Sequence, residues 1–381
     1  MSQSDSRKSQ RTFIQKMKRH IPKTLESTYH VKVRDGGGKE KTIKADRDRL
    51  RRLLVASQGG REIDMKSILE HELSPVPLSL ASTNFKLNKG NKAYLATLLI
   101  EDVDVKSEIA KSDKKSFVVI DGPALIQQTG KPDGAKIFGD LADTFVTKVL
   151  NNYSATCCRV DVLFDRYNDL SIKSGTREQR TGSIRPIRRR IDNREVKLPQ
   201  NWKQYISLSA NKENLASFLS NELRAQSGRV PTNGELVIAG GFENVMETFT
   251  TSERDISHLR ANHEEADTRI PLHAKDALEQ GFEKIIINCK DTDVLVMATE
   301  LLPGSTSEIW MRAGTLKNTK NIPVHLIDIP SEVKQNLMLF HALTGCDSTS
   351  QFSGKVKRVP GRSSCNTHLC FVAWESTNFL K

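Results

Sequence analysis

Two rhythms of apolar and polar positions take turns along residues 113–358. Short runs rich in β-branched and aromatic side chains at 117–120, 155–164, 235–239 and 284–288 predict buried strands. Between them the spacing changes. Over 135–152, Ile137, Leu141, Phe145, Val149 and Leu150 fall on one face at helical period. Helices are also predicted over 213–224 with Asn211 as the cap, over 264–278 with Gly281 just beyond its end, and over 333–343. Two further strands are expected at 307–310 and 322–327. Strands alternating with helices predict an α/β fold, with a mainly parallel central sheet covered by helices on both faces.

The rest of the chain reads differently. Residues 1–22 are a polar, basic stretch of the kind that stays disordered, and 23–112 read as a mostly helical, basic N-terminal extension. Within that extension, 24–44 suit a short β-ribbon turning at Gly36-Gly-Gly. Residues 45–58 suit a basic helix, and 62–110 suit helices interrupted by Pro75 and Pro77. Residues 359–381 form an irregular tail. No apolar run reaches the length of a membrane span, and the N-terminus lacks the apolar core of a signal peptide, so an intracellular, nuclear protein is expected. Six cysteines in 381 residues do not make a disulfide scaffold, and Cys365 and Cys370 lack zinc-finger spacing.

Charge sharpens the functional question. The formal net charge of +12 is carried by residues 1–54, with sixteen Lys/Arg against six Asp/Glu, and by 166–203, with eleven against four. The remainder is net acidic. An acidic centre between basic flanks suits a polyanion drawn toward bound cations.

The acidic residues fall in an ordered pattern. Asp121 and Asp165 end apolar strands, Glu265 and Asp267 open a helix, Asp291 and Asp293 follow another strand, and Asp347 lies in a Gly-Cys-Asp turn. Each alone suits a helix cap or a turn. Together they mark five apolar-then-acidic junctions in one α/β region. Carboxylates gathered at strand ends repel one another unless a hard cation such as Mg²⁺ or Mn²⁺ neutralises them. Phosphodiester hydrolysis is the commonest use of two such ions.

The wording Ile120-Asp121, Phe164-Asp165, Glu265-Ala-Asp267, Asp291-Thr-Asp293 and Gly345-Cys-Asp347 resembles the flap endonuclease and XPG-like branch of the PIN-like nucleases. The resemblance spans 116–358. It implies a PIN-like three-layer α/β domain over 113–358, with 166–203 as a basic gateway insert. It also implies a two-metal site for Mg²⁺ or Mn²⁺ on the seven carboxylates, with Lys173 and Arg180 gripping the scissile phosphate. Arg177, Arg188, Arg189, Arg190 and Lys355 are the expected contacts to the nucleic-acid backbone. DNA with a flap, junction or free end is the preferred substrate by this resemblance, and RNA is compatible with it. The chain is also similar to animal proteins with the look of mobile-element derivatives, through the phrases beginning at Glu72, His263, Asp291 and Phe340.

Two departures are visible. Asp267 stands where the nuclease branch usually has Glu, and Val356 stands where its phosphate-binding hairpin has a second glycine. Three rival readings stay open: a catalytically inactive nucleic-acid-binding protein on the same fold, a metal-dependent phosphatase acting on small esters, and a mobile-element relic without activity. His263, His273 and His341 are expected to pack or hydrogen-bond, not to ligate metal.

Overall fold

The computed structural model describes residues 87–166 and 187–352 apart from 245, 303–306, 316–317 and 348, together with 31–34, 40–43 and scattered positions between 55 and 81. Lys173, Arg177, Arg180 and Lys355 lie outside the described residues, as do 1–22, most of 45–86 and the tail from 353 onward.

The chain divides into two compact units. The smaller takes in residues 1–88 and 350–354. It holds the expected ribbon, an antiparallel pair of β1 (Val31–Arg34) and β2 (Glu40–Ile43). Backbone and hydroxyl bonds from Ser350 and Gln351 to Leu80 and Asn88 join its two chain segments.

The larger unit begins at Lys89, so residues 89–112, which the sequence reading assigned to the N-terminal extension, belong to the α/β unit. Its elements in chain order are α1 (Lys92–Leu99), β3 (Ser116–Asp121), α2 (Gly122–Thr129), α3 (Phe138–Leu150), β4 (Cys157–Leu163), α4 (Trp202–Ile206) and α5 (Ser209–Ala225). Then come β5 (Glu235–Ala239), β6 (Thr248–Thr250), α6 (Ala266–Glu279), β7 (Lys284–Asn288), α7 (Thr292–Leu301), β8 (Glu308–Thr315), β9 (Asn318–Pro323), α8 (Ser331–Lys334) and α9 (Leu337–Leu343).

Seven strands form one sheet in the order β6-β5-β4-β3-β7-β8-β9. The inner five pair in parallel and the edge strands β6 and β9 antiparallel, giving a mixed α/β fold with a largely parallel sheet. Strand β3 alternates Phe117 and Val119 toward one face with Val118 and Ile120 toward the other, and all four are buried. One face packs on α1, α6, α7 and α9, and the other on α2, α3 and α5. No helix among the described residues is long and apolar enough to cross a membrane.

The chain order carries a functional consequence. From β3 the chain moves outward to β4 and β5, then returns to the other side of β3 with β7 and β8. The order reverses between β3 and β7, and the crevice at such a reversal, outside the carboxyl ends of the strands, is where open α/β sheets bind ligands.

Several element boundaries differ from the sequence reading. Asn211 is not a cap but lies inside α5, fully buried, where its amide donates to the carbonyls of Ile187 and Tyr205. The helix expected at 333–343 is two short ones, and the strand expected at 322–327 lies at Asn318–Pro323 instead, followed by a 3-10 turn at Val324–Leu326.

Candidate metal centre

Each acidic residue reaches the crevice through a local feature with its own cause. Asp121 is the last residue of β3 and also caps α2, accepting from the Ala124 N–H at 2.9 Å. Asp291 caps α7 and accepts from the Asp293 N–H at 3.0 Å. Asp165 follows β4 and accepts from the Ala266 N–H at 2.9 Å, so it caps α6 from another chain segment. Glu265 holds the N-cap position of α6 without a side-chain cap bond, and Asp267 lies in the first turn. Asp347 is carried by a turn that opens at Gly345 (φ 94°), where the Thr349 hydroxyl accepts from the Cys346 N–H and donates to the Ala342 carbonyl. Three helix N-termini thus face the crevice with carboxylates on them, and each favours negative charge there.

Two groups of side chains bring ligand atoms within 4.8 Å of one another: Asp121, Asp267 and Cys289, and Asp267, Asp291 and Asp293. Asp267 is common to both. Asp165 is tied to the same centre because its charge, like that of Asp291, acts on Asp121. Asp347 is tied to it through a shared partner, Lys92. Six of the seven predicted carboxylates therefore converge. Glu265, half-buried at the start of α6, falls outside both groups among the described residues.

Burial dominates the electrostatics of the innermost carboxylate. Asp121 is 8 % exposed, and burial pushes its carboxyl up to about 6. The Ala124 N–H and the Cys289 thiol pull it back down, while Asp165 and Asp291 push it further up. The Cys289 thiol is raised well above its ordinary value by burial and by the charges of Asp121 and Asp267, so it stays protonated and donates to Asp121 Oδ2 at 3.2 Å.

The residues fit a hard divalent ion. Asp267, Asp291 and Asp293 are an all-oxygen donor set, which suits Mg²⁺ or Mn²⁺. A stand-in cation is also present. The Lys92 ammonium lies 2.7 Å from Asp291 Oδ1, 2.9 Å from Asp347 Oδ2 and 3.4 Å from Asp293 Oδ2. Burial pulls the Lys92 pKa down, but these acids outweigh it and hold the group above the ordinary lysine range. Sequence reasoning missed Lys92. One signal was available: after the Asn91 cap it is the first residue of a helix, where the dipole disfavours a cation.

The remaining predicted residues sit as follows. Arg188 and Arg189 bond the backbone carbonyls of Ala210 and Lys197, and Arg190 pairs with Asp192 on the surface. His341 Nε2 bonds Asp293 Oδ1 at 2.8 Å and His273 Nδ1 bonds Asp161 Oδ2 at 2.7 Å, so both histidines orient carboxylates. His263 lies just before α6, and its carbonyl accepts from Arg269 Nη2 at 2.9 Å.

Beneath the crevice lies a second polar assembly that the sequence reading did not find. Arg159, Asp161 and His273 are fully buried. Arg159 makes a two-pronged bond to Asp161, at 2.9 and 2.6 Å, and a third to Asp276 at 2.6 Å. It links β4, which leads to Asp165, with α6, which carries Asp267. Beside Asp121 and Cys289 opens a cavity of about 700 Å³, also lined by Gln127, Gln128, Asn288, Lys148, Lys290 and Arg312. Three cations, Lys148, Lys290 and Arg312, stand on a lining that is otherwise largely apolar, with Ile120, Ala124, Leu125 and Ala313.

Comparison with protein-family models, with curated proteins and with solved structures finds no match to this chain.

Proposed function

We propose that the α/β unit is a metal-dependent nuclease of PIN-like type, hydrolysing phosphodiesters of nucleic acid, with structured DNA as the preferred substrate and RNA compatible. The observation that carries this reading is the convergence of Asp121, Asp165, Asp267, Asp291, Asp293 and Asp347 on the carboxyl edge of the sheet, at its topological reversal. A divalent ion held by these carboxylates would supply Lewis acidity toward a phosphoryl oxygen and would lower the pKa of a water so that it yields a hydroxide nucleophile near neutral pH.

The chain's own residues prepare that chemistry. Helix N-termini hold the carboxylates in place, and His341 fixes the rotamer of Asp293. The Cys289 thiol holds Asp121. Lys148, Lys290 and Arg312 in the cavity beside Asp121, with the exposed Arg188 and Arg190, supply sequence-independent attraction for a phosphate backbone. By resemblance, Lys173 and Arg180 grip the scissile phosphate; Arg177 and Lys355 are assigned to the nucleic-acid backbone.

A second reading has an observation of its own. The Lys92 ammonium already neutralises part of the acidic cluster, as a closed, inactive nucleic-acid-binding site would require. Incubation of folded protein with flap, hairpin and single-stranded DNA and RNA, in Mg²⁺, Mn²⁺ and EDTA, separates the two. Cleavage that requires a divalent ion supports the nuclease. Binding without cleavage on every substrate supports the inactive protein.

A further inference from the structure

We propose that Lys92 is a built-in cation that takes one of the two metal positions, so that the site holds a single divalent ion on its Asp121–Asp267 side. This rests on the nuclease reading above and narrows it. The two ligand groups share Asp267 but differ otherwise: one continues through Asp291 and Asp293, the other through Asp121 and Cys289. Among the bonds described, the Lys92 ammonium engages Asp291, Asp293 and Asp347 and does not touch Asp121. An ion in the Asp291–Asp293 group needs those oxygens at roughly 2.1 Å. The ammonium nitrogen already stands at hydrogen-bond distance from one oxygen of each of these two aspartates, so the two cations compete for the same carboxylates. The other group draws on Asp121 and Cys289 instead.

Lys92 is not a chance visitor on a loose side chain. It opens α1, and Leu95 and Leu99, three and seven residues on, are fully buried against the core that includes α7. The face that anchors the helix therefore also carries Lys92, toward the helix that holds Asp293. On the other side, a Cβ at Gly90 would lie 2.8 Å from the Gly345 carbonyl oxygen and 2.9 Å from that of Thr344. Only glycine lets the chain before α1 lie this close to the turn that presents Asp347. The ammonium has three N–H donors and three carboxylates around it, so its hydrogen-bonding capacity is filled. A cation at the N-terminal end of a helix also runs against the dipole, and the three acids supply the compensation.

The test is a count of bound Mn²⁺ on the full chain, by equilibrium dialysis with electron paramagnetic resonance of free and bound ion. Wild type is expected to hold one Mn²⁺ with no Mn–Mn coupling, where ions roughly 4 Å apart would couple. Lys92→Met is expected to hold two, and Lys92→Arg one. Affinity for the second ion should rise about tenfold or more in Lys92→Met, since each charge-assisted hydrogen bond that no longer has to be displaced is worth about that factor. Two coupled ions in wild type, or one ion in a folded Lys92→Met, overturn the role of Lys92 and leave the nuclease reading standing. No bound Mn²⁺ in wild type overturns the nuclease reading itself. If Lys92→Met does not fold, the count and coupling in wild type still decide.

Discussion

Replacing Arg159 with Met removes a guanidinium that has no exposure and three bonds to carboxylates. Asp161, equally buried, keeps only the 2.7 Å bond from His273 Nδ1, while Asp276 keeps Arg254 and His258. Most of the cost therefore comes from Asp161, a buried anion losing two of its donors. Removing one partner of a buried ion pair costs about 3–5 kcal/mol. For a unit of this size that corresponds to a fall in Tm of roughly 5–10 °C. Denaturant unfolding followed by far-UV circular dichroism measures it directly. Adding Asp161→Leu should recover part of the loss, because the uncompensated charge leaves with the carboxylate. The network also joins β4 to α6, so Arg159→Met should weaken Mn²⁺ binding at Asp267 along with stability. A loss below about 1 kcal/mol, with the two substitutions simply additive, would refute the view of a buried unit that locks the floor of the site.

Other outcomes follow from the same geometry. Asp276 is held below the ordinary carboxylate range: burial opposes this, but Arg159, His258 and Arg254 outweigh it. Its folded pKa lies below the unfolded one, so its stabilisation is present above the unfolded value, about 4, and is lost as pH falls through the folded value. Asp276→Asn should flatten the acid limb of the stability curve, and an unchanged limb would count against the assignment. Gly240 has φ +91°, and a Cβ there would lie 2.1 Å from the Phe164 carbonyl oxygen, next to Asp165. Gly240→Ala should destabilise by more than about 1 kcal/mol, read as a lower Tm, and a neutral substitution would contradict the close approach. The Cys289 thiol should resist alkylation at neutral pH in the folded protein and react once unfolded, as mass spectrometry of the digested chain would show.

The legibility of this chain follows burial. Strands β3, β4, β5 and β7 were readable because both faces are covered, which turns them into apolar runs. The edge strands β6 and β9 were less so: β6 is short, and β9 opens with the polar Asn318-Thr-Lys, which hid its start, while its buried end overlaps the strand expected at 322–327. In β4 the charged Arg159 and Asp161 interrupt the apolar run, and both stay buried because α6 supplies partners for them. Six carboxylates of the centre were readable because each also follows a local rule of strand end, cap or turn. Lys92 was not, since its partners are about 200 residues or more away in sequence and only the fold brings them together. Asn211 was misread for a related reason. A cap residue and a buried residue that satisfies two carbonyls use the same amide, and sequence does not distinguish them.

The central claim is that the converging carboxylates hold an ion that cuts nucleic acid, and one paired measurement tests it most directly. Asp291→Asn combined with Asp293→Asn turns two of the converging carboxylates into neutral amides while keeping the shape of the site. Cleavage and binding are then measured on the same structured DNA in Mn²⁺, beside wild type. The account predicts that wild type cleaves, and that the double variant loses cleavage by about 100-fold or more while binding DNA as tightly as before or tighter. Full cleavage by a folded double variant, or no cleavage by wild type on any substrate, would contradict it.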